Sequence, residues 1–140
     1  DPKRLGIMGF SAGAHLSVRA CTNFGKRFYA PVDDADKQPC RPDFALIIYP
    51  AYLYVDGYKL APELPVTAAT PPTFLVQAED DAPYVDSSLA YFIALKTAKV
   101  SVEMHLFPDG GHGYGLRKHG KTTDAWPQMA ETWLKRVCNE

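Results

Sequence analysis

The stretch that decides the fold is residues 5–16, which read LGIMGFSAGAHL. The first four are apolar or small, as in a short buried strand, and those from Ala12 onward are typical of a helix. The turn between strand and helix carries Ser11, with Gly9 two positions before it and Gly13 two positions after it. A strand that enters a helix through so tight a turn holds the serine hydroxyl out above the sheet. Ser11 is therefore a candidate nucleophile.

Glycine on both sides of the serine has a steric interpretation. Side chains at Gly9 and Gly13 would collide with the neighbouring strand and helix, so both are expected to remain small. The helix N terminus lies beside the serine, which places the backbone N–H of Ala12 to stabilise an oxyanion. The alternative is that Ser11 is an ordinary polar turn residue, and only partner residues elsewhere can decide.

Strand and helix patterns alternate along the rest of the chain. After the strand that precedes Ser11, the predicted elements are a helix over 12–22, a loop over 24–43, a strand over 44–49, a loop over 51–72, a strand over 73–77, a helix from an Asp86 cap to about Ala98, a strand over 100–107 and a final helix with Pro127 in its first turn. This order predicts an α/β fold in three layers, a parallel sheet with helices on both faces. In such sheets functional residues gather at the carboxyl ends of the strands.

Acidic residues follow the third predicted strand, where residues 77–81 read QAEDD. This place in the order is where the acid of a Ser-His-Asp triad belongs. Two adjacent carboxylates cannot both orient one histidine. Asp81 is favoured because it lies further along the turn, Asp80 is the alternative acid, and Asp86 is assigned to the helix cap.

A single histidine lies in the glycine-rich loop after the fourth strand, where residues 108–115 read PDGGHGYG. Glycines allow such a loop to carry His112 to the serine without steric cost. His15 is assigned to packing or to support of the site, and His105 and His119 receive no role. The order Ser11, Asp81, His112 completes a set of three catalytic residue types.

Four segments carry a resemblance to a known family: residues 1–18, 41–53, 71–117 and 126–137. They resemble the α/β-hydrolase superfamily and, within it, the acetyl-xylan and feruloyl esterase-like group. The resemblance implies a serine esterase that cleaves acetyl, aryl or carbohydrate esters through an acyl-enzyme. It implies Ser11 as nucleophile, His112 as general base and Asp80 or Asp81 as the acid, with no metal or organic cofactor.

The chain also departs from that family. Ala14 stands where glycine is common, the loop after Asp80 is a residue shorter than in many relatives, and the family's first half, with a His-Gly-Gly loop that gives a second oxyanion donor, is not in these 140 residues. We expect residues 1–140 to form a single α/β-hydrolase domain truncated at its N terminus. We also expect this piece alone to be poorly soluble or nearly inactive.

Composition restricts the class of partner. The net charge is −1, with 46% hydrophobic and 22% charged residues, so no basic surface for nucleic acid is expected. The longest apolar runs are far shorter than the roughly 18 residues of a membrane-spanning helix. Cys21, Cys40 and Cys138 lack metal-binding spacing and are interpreted as free thiols rather than as a disulfide with one thiol left over. Secretion would require a signal peptide upstream of Asp1.

Two other functions compete with an esterase. A serine peptidase of the prolyl-oligopeptidase type uses the same catalytic half, but its Trp-x-x-Ser-Tyr-Gly-Gly elbow has aromatic residues that GFSAGAH lacks. A non-catalytic binding module of the same fold is the second alternative. Aromatic and apolar residues of the loop over 51–72 could line a substrate pocket or be purely structural: Tyr52, Tyr54, Tyr58 and Leu60.

Overall fold

The structure is a computed structural model that describes residues 4–138. Its elements are β1 (Gly6–Phe10), α1 (Ala12–Thr22), β2 (Phe44–Ile48), β3 (Tyr54–Val55), β4 (Lys59–Leu60), β5 (Thr73–Ala78), α2 (Val85–Thr97), β6 (Val102–Phe107) and α3 (Trp126–Val137). A four-stranded sheet has the order β1-β2-β5-β6, and every neighbouring pair in it is parallel. The predicted alternation of strands and helices around a parallel sheet is confirmed.

Three local expectations were wrong. The loop over 51–72 contains a short antiparallel hairpin, β3–β4. The last strand begins at Val102, since the left-handed Lys99 (φ 60°) and a bond from the Val100 N–H to the Leu95 carbonyl extend the end of α2. Asp86 is not a helix cap: Tyr84 holds the N-cap position, and Asp86 lies in the first turn.

The sheet is covered on both faces, which confirms the three-layer architecture. One face packs against α1 and α2 through a buried cluster that includes Val18, Tyr91 and Leu95. The other face packs against α3, whose Trp126 and Trp133 lie in a second buried cluster. Burial of large apolar side chains at about 25 cal/mol per Å² is the main stabilising term in such layers.

The central strand β2 shows why its sequence is apolar at almost every position. Ala45 and Ile47 contribute to the cluster under α1 and α2, whereas Leu46 and Ile48 contribute to the cluster under α3. A strand buried on both faces has no solvent side for polar residues. At the edge of the sheet β1 is more open, and Met8 is 52% exposed.

The cysteines are unpaired, as their spacing in the sequence predicts. Cys21, Cys40 and Cys138 are free thiols, and burial raises the pKa of the Cys21 thiol to about 12. Within residues 4–138 no helix is both long and apolar enough to span a membrane.

The two glycines around Ser11 differ in their surroundings. A Cβ at Gly9 would lie 2.3 Å from the Gly13 carbonyl oxygen and 2.4 Å from Ser17 Oγ, so β1 and α1 could not pack as closely. A Cβ at Gly13 would have no atom of residues 4–138 within 4 Å beyond its own helix and chain neighbours. The steric expectation therefore holds for Gly9, and for Gly13 it is wrong.

This difference predicts opposite responses to the same substitution. Gly9→Ala is expected to lower the free energy of unfolding by about 1–3 kcal/mol, because the new methyl meets backbone that cannot rotate away. Gly13→Ala, the matched control, should raise it by up to about 1 kcal/mol, because alanine loses less conformational freedom in a helix than glycine does. Urea denaturation of both variants measures the effect, and equal losses would contradict the packing described here.

Candidate active site

Ser11 lies at the carboxyl end of β1 in a strained backbone conformation. Its φ is 54° and its ψ is −121°, a region that costs a non-glycine residue about 1–3 kcal/mol. Backbone hydrogen bonds hold it there: the Ser11 N–H donates to the Ile48 carbonyl at 3.1 Å, and the Ser11 carbonyl accepts from the Ala51 N–H at 3.3 Å. The turn is thus fixed to the end of the neighbouring strand β2.

Three side chains from different strand ends form one hydrogen-bonded chain. Ser11 Oγ lies 2.7 Å from His112 Nε2, and His112 Nδ1 lies 2.7 Å from Asp81 Oδ2. The Asp81 side chain is 2% exposed, whereas that of His112 is 30% exposed. In the tautomer with the proton on Nδ1, this nitrogen donates to the Asp81 carboxylate and Nε2 can accept from the Ser11 hydroxyl.

The two neighbouring aspartates contact different parts of the same loop. Asp81 reaches the His112 ring, while Asp80 Oδ1 accepts a hydrogen bond of 2.7 Å from the Gly111 N–H. That backbone hydrogen bond is the main reason that the pKa of Asp80 lies below its usual range. Sequence reasoning considered both residues for one position and did not foresee that both would hold the histidine loop.

The histidine loop, residues 108–115, contains glycines with positive φ values that residues other than glycine rarely adopt. Gly111 and Gly113, on either side of His112, have φ values of 62° and 81°. Side-chain donors fix the far end of the loop, since Arg117 donates to the Gly113 carbonyl at 2.9 Å and Trp126 Nε1 donates to the Gly115 carbonyl at 2.8 Å. The imidazole is therefore carried by an anchored segment.

Aromatic rings surround the imidazole. The ring centroids of Tyr49 and Tyr84 lie 5.2 Å and 4.7 Å from that of His112. Sequence reasoning missed both, although Tyr49 directly follows β2 and Tyr84 follows Asp81 by three positions. Of the four suggested pocket residues, Tyr52 packs against Tyr84 at 5.5 Å, whereas Leu60 packs against the core.

The remaining candidates lie as follows. Ala12 is the first residue of α1, so its backbone N–H is among the donors that a helix leaves unpaired. His105 Nε2 lies 3.0 Å from Glu103 Oε1, and the His119 backbone N–H donates to the Asp124 carboxylate. His15 lies in α1, and its Nε2 is buried with no hydrogen-bond partner among residues 4–138. Across residues 4–138, no cluster of metal-ligating side chains is present.

Comparison with known proteins identifies relatives with esterase names. An acetylxylan esterase of Xylanibacter ruminicola is 28% identical over 98% of this chain and 31% of its own length. The structure of an acetyl ester-xyloside bifunctional hydrolase from Caldicellulosiruptor lactoaceticus superposes with a TM-score of 0.85, at 32% identity, over 98% of this chain and 58% of that one. A carboxylesterase of Lactobacillus plantarum shares the fold, with a TM-score of 0.72 at 23% identity over 97% of this chain and 59% of that one.

The chain thus spans 31% of the first relative and 58% of the second. The sequence profile of the prolyl oligopeptidase family matches residues 1–140. The fold agrees with that match, since a solved structure that superposes on the chain is named an α/β-hydrolase. The chain therefore belongs to the prolyl oligopeptidase family, within the α/β-hydrolase superfamily.

Proposed function

We propose that the protein is a carboxylic-ester hydrolase that works through an acyl-enzyme, with Ser11 as nucleophile, His112 as general base and Asp81 as the acid. The single observation that carries this proposal is the hydrogen-bonded chain from Ser11 Oγ through the His112 ring to Asp81 Oδ2, with both distances at 2.7 Å. The esterase names of the relatives support the same reaction class.

The proposed reaction has two steps. His112 Nε2 takes the Ser11 proton while Oγ attacks the ester carbonyl, and the same imidazolium then gives its proton to the departing alcohol. Water repeats the sequence on the acyl-enzyme, which releases the acid and restores the Ser11 hydroxyl. Asp81 holds the imidazole in the required tautomer and stabilises its positive charge from a buried position.

Charge that develops on the carbonyl oxygen needs its own donors. We assign the first to the backbone N–H of Ala12, at the N terminus of α1. We propose that a second donor acts with it, since loss of one donor typically costs about 10²–10³ in turnover. The proposed chemistry calls for no metal or organic cofactor.

We propose acetyl esters of carbohydrates as the substrate class, because two relatives are named for acetylxylan or for an acetyl ester and a xyloside. A serine peptidase is the second candidate, favoured by the name of the family whose profile matches the chain. The Ser11 turn lacks the aromatic residues that sequence analysis associated with that peptidase, which favours the esterase.

Removal of single side chains separates the roles assigned to the two aspartates. In the natural protein that carries this chain, Ser11→Ala and Asp81→Asn are each expected to lower kcat for p-nitrophenyl acetate by about 10³-fold or more. Asp80→Asn, the matched control, should lower it by less than about ten-fold, because it leaves the His112 contacts in place. A larger loss in Asp80→Asn than in Asp81→Asn would reverse the assignment, and cleavage of prolyl peptides but not esters would favour the peptidase.

Asp80 is proposed to anchor the histidine loop through the Gly111 N–H, and this anchor should depend on pH. The pKa of Asp80 is lowered in the folded state, so its stabilising effect is complete above the unfolded carboxyl pKa of about 3.9 and is lost as pH falls through the lower, folded value. Urea denaturation should show wild type more stable than Asp80→Asn near neutral pH, with the difference shrinking in acid. The control is Glu79→Gln, because the Glu79 carboxylate has no hydrogen bond within residues 4–138. A difference that stays constant with pH would contradict the anchor.

The second oxyanion donor that the family resemblance implies predicts how residues 1–140 behave when they are made alone. We expect its p-nitrophenyl acetate turnover to lie at least about 10²-fold below that of the natural protein, or the piece to aggregate through the β1 edge. Equal turnover per mole of folded, monomeric protein would show that no further donor is required.

A further inference from the structure

A pair of tyrosines, the exposed Tyr52 and the half-buried Tyr84, lies beside the proposed general base. Their ring centroids are 5.5 Å apart with planes at 79°, and the Tyr84 ring lies 4.7 Å from the His112 ring at 49°. Tyr52 is 58% exposed, so its ring is open to a ligand. The pair forms an aromatic wall that continues outward from the imidazole.

The backbone of Tyr52 is held rigidly although its side chain is exposed. Its neighbours Ala51 and Leu53 are 1% and 0% exposed, and the Leu53 N–H donates to Ser87 Oγ at 3.1 Å. Tyr52 itself has φ 63°, the left-handed region that a bulky residue rarely occupies. Strain of this kind at the rim of a site is a reason to look for a ligand there.

Tyr84 is fixed just as firmly from the other side. Its N–H donates to the Asp81 carbonyl at 2.9 Å, and its carbonyl accepts from Nε2 of the fully buried Gln77 at 3.2 Å. The Tyr84 backbone is therefore hydrogen-bonded to that of Asp81, the residue proposed as the acid. The backbone at both ends of the wall is thus hydrogen-bonded to the core beside His112.

The position of the wall beside His112 indicates whether it would contact the acyl portion or the alcohol portion of an ester substrate. In the proposed reaction His112 gives its proton to the departing alcohol, so the alcohol oxygen must approach Nε2. A wall in contact with the imidazole ring therefore lies near the alcohol portion of the substrate. The oxyanion is assigned instead to the Ala12 N–H at the N terminus of α1.

The two hydroxyl groups refine the chemical class. Their oxygens lie 3.5 Å apart, beyond the usual 2.5–3.0 Å of an O–H···O hydrogen bond, so each retains capacity to bond a ligand. Rings supply apolar faces, and tyrosine tips supply donors and acceptors. Faces and hydroxyls together suit a ring that carries several hydroxyls better than a plain alkyl chain.

We infer that the Tyr52–Tyr84 wall binds the alcohol portion of the substrate as a pyranose ring, stacked on the tyrosine faces and hydrogen-bonded to their hydroxyls. This inference rests on the proposed ester hydrolysis and adds the residues that select the alcohol. Simple alkyl esters lack the ring and do not use the wall.

The test compares two acetate esters in the natural protein that carries this chain: methyl 2,3,4-tri-O-acetyl-β-D-xylopyranoside and ethyl acetate. Tyr52→Ala should lower kcat/KM for the sugar ester about five-fold or more, mainly through KM, because it removes both the ring face and the hydroxyl that contact the sugar. The same variant should change kcat/KM for ethyl acetate by less than about two-fold. Tyr52→Phe, which keeps the ring, should lose less than Tyr52→Ala on the sugar ester.

The control is Phe28→Ala, which removes another exposed aromatic ring and should change kcat/KM for neither ester. The inference would be overturned if Tyr52→Ala lowered kcat/KM equally for the two esters, and Tyr52→Phe did the same. It would also be overturned if neither variant changed kcat/KM for either ester. Ester hydrolysis by the wild type would stand in both cases. If wild type hydrolyses neither ester, the proposed function and the inference fail together.

Discussion

The hydrogen bond between His112 Nδ1 and Asp81 Oδ2 is the interaction on which the proposed site depends. It joins a buried carboxylate at the end of β5 to an imidazole carried by the loop after β6. In the register of the sheet, Ala78 at the end of β5 is paired with Phe107 at the end of β6, so both loops leave from the same level. Parallel pairing of strands thus creates the juxtaposition that no local sequence feature could supply.

Much of this arrangement could be predicted from the sequence because its signals are local. The apolar run of β2 indicates a strand covered on both faces, and Gly9 before Ser11 indicates a turn with no room for a side chain. Ser11, Asp81 and His112 each follow a different predicted strand, so the sequence also places all three at strand ends. Membership of the α/β-hydrolase superfamily agrees with that order.

Other features depend on contacts that distance along the chain conceals. Sequence position favours Asp81 over the adjacent Asp80 but does not predict their contacts: the Asp80 side chain is exposed and accepts from a backbone N–H, while Asp81 is buried against the imidazole. Asp86 looked like a helix cap, but the Asp81 carbonyl accepts from the Val85 N–H and the helix begins earlier. Gly13 looked sterically required, and only the packing around it shows open space.

Family membership and the names of relatives point to different reactions, since the profile carries a peptidase name and the relatives carry esterase names. A nucleophilic Ser11 is common to both and is the central claim. Diisopropyl fluorophosphate followed by peptide mass mapping tests it most directly. The account predicts one phosphoryl adduct, on the peptide that contains Ser11. A folded protein that carries no adduct, or carries it on another residue, would contradict the account and favour a binding module with an idle site.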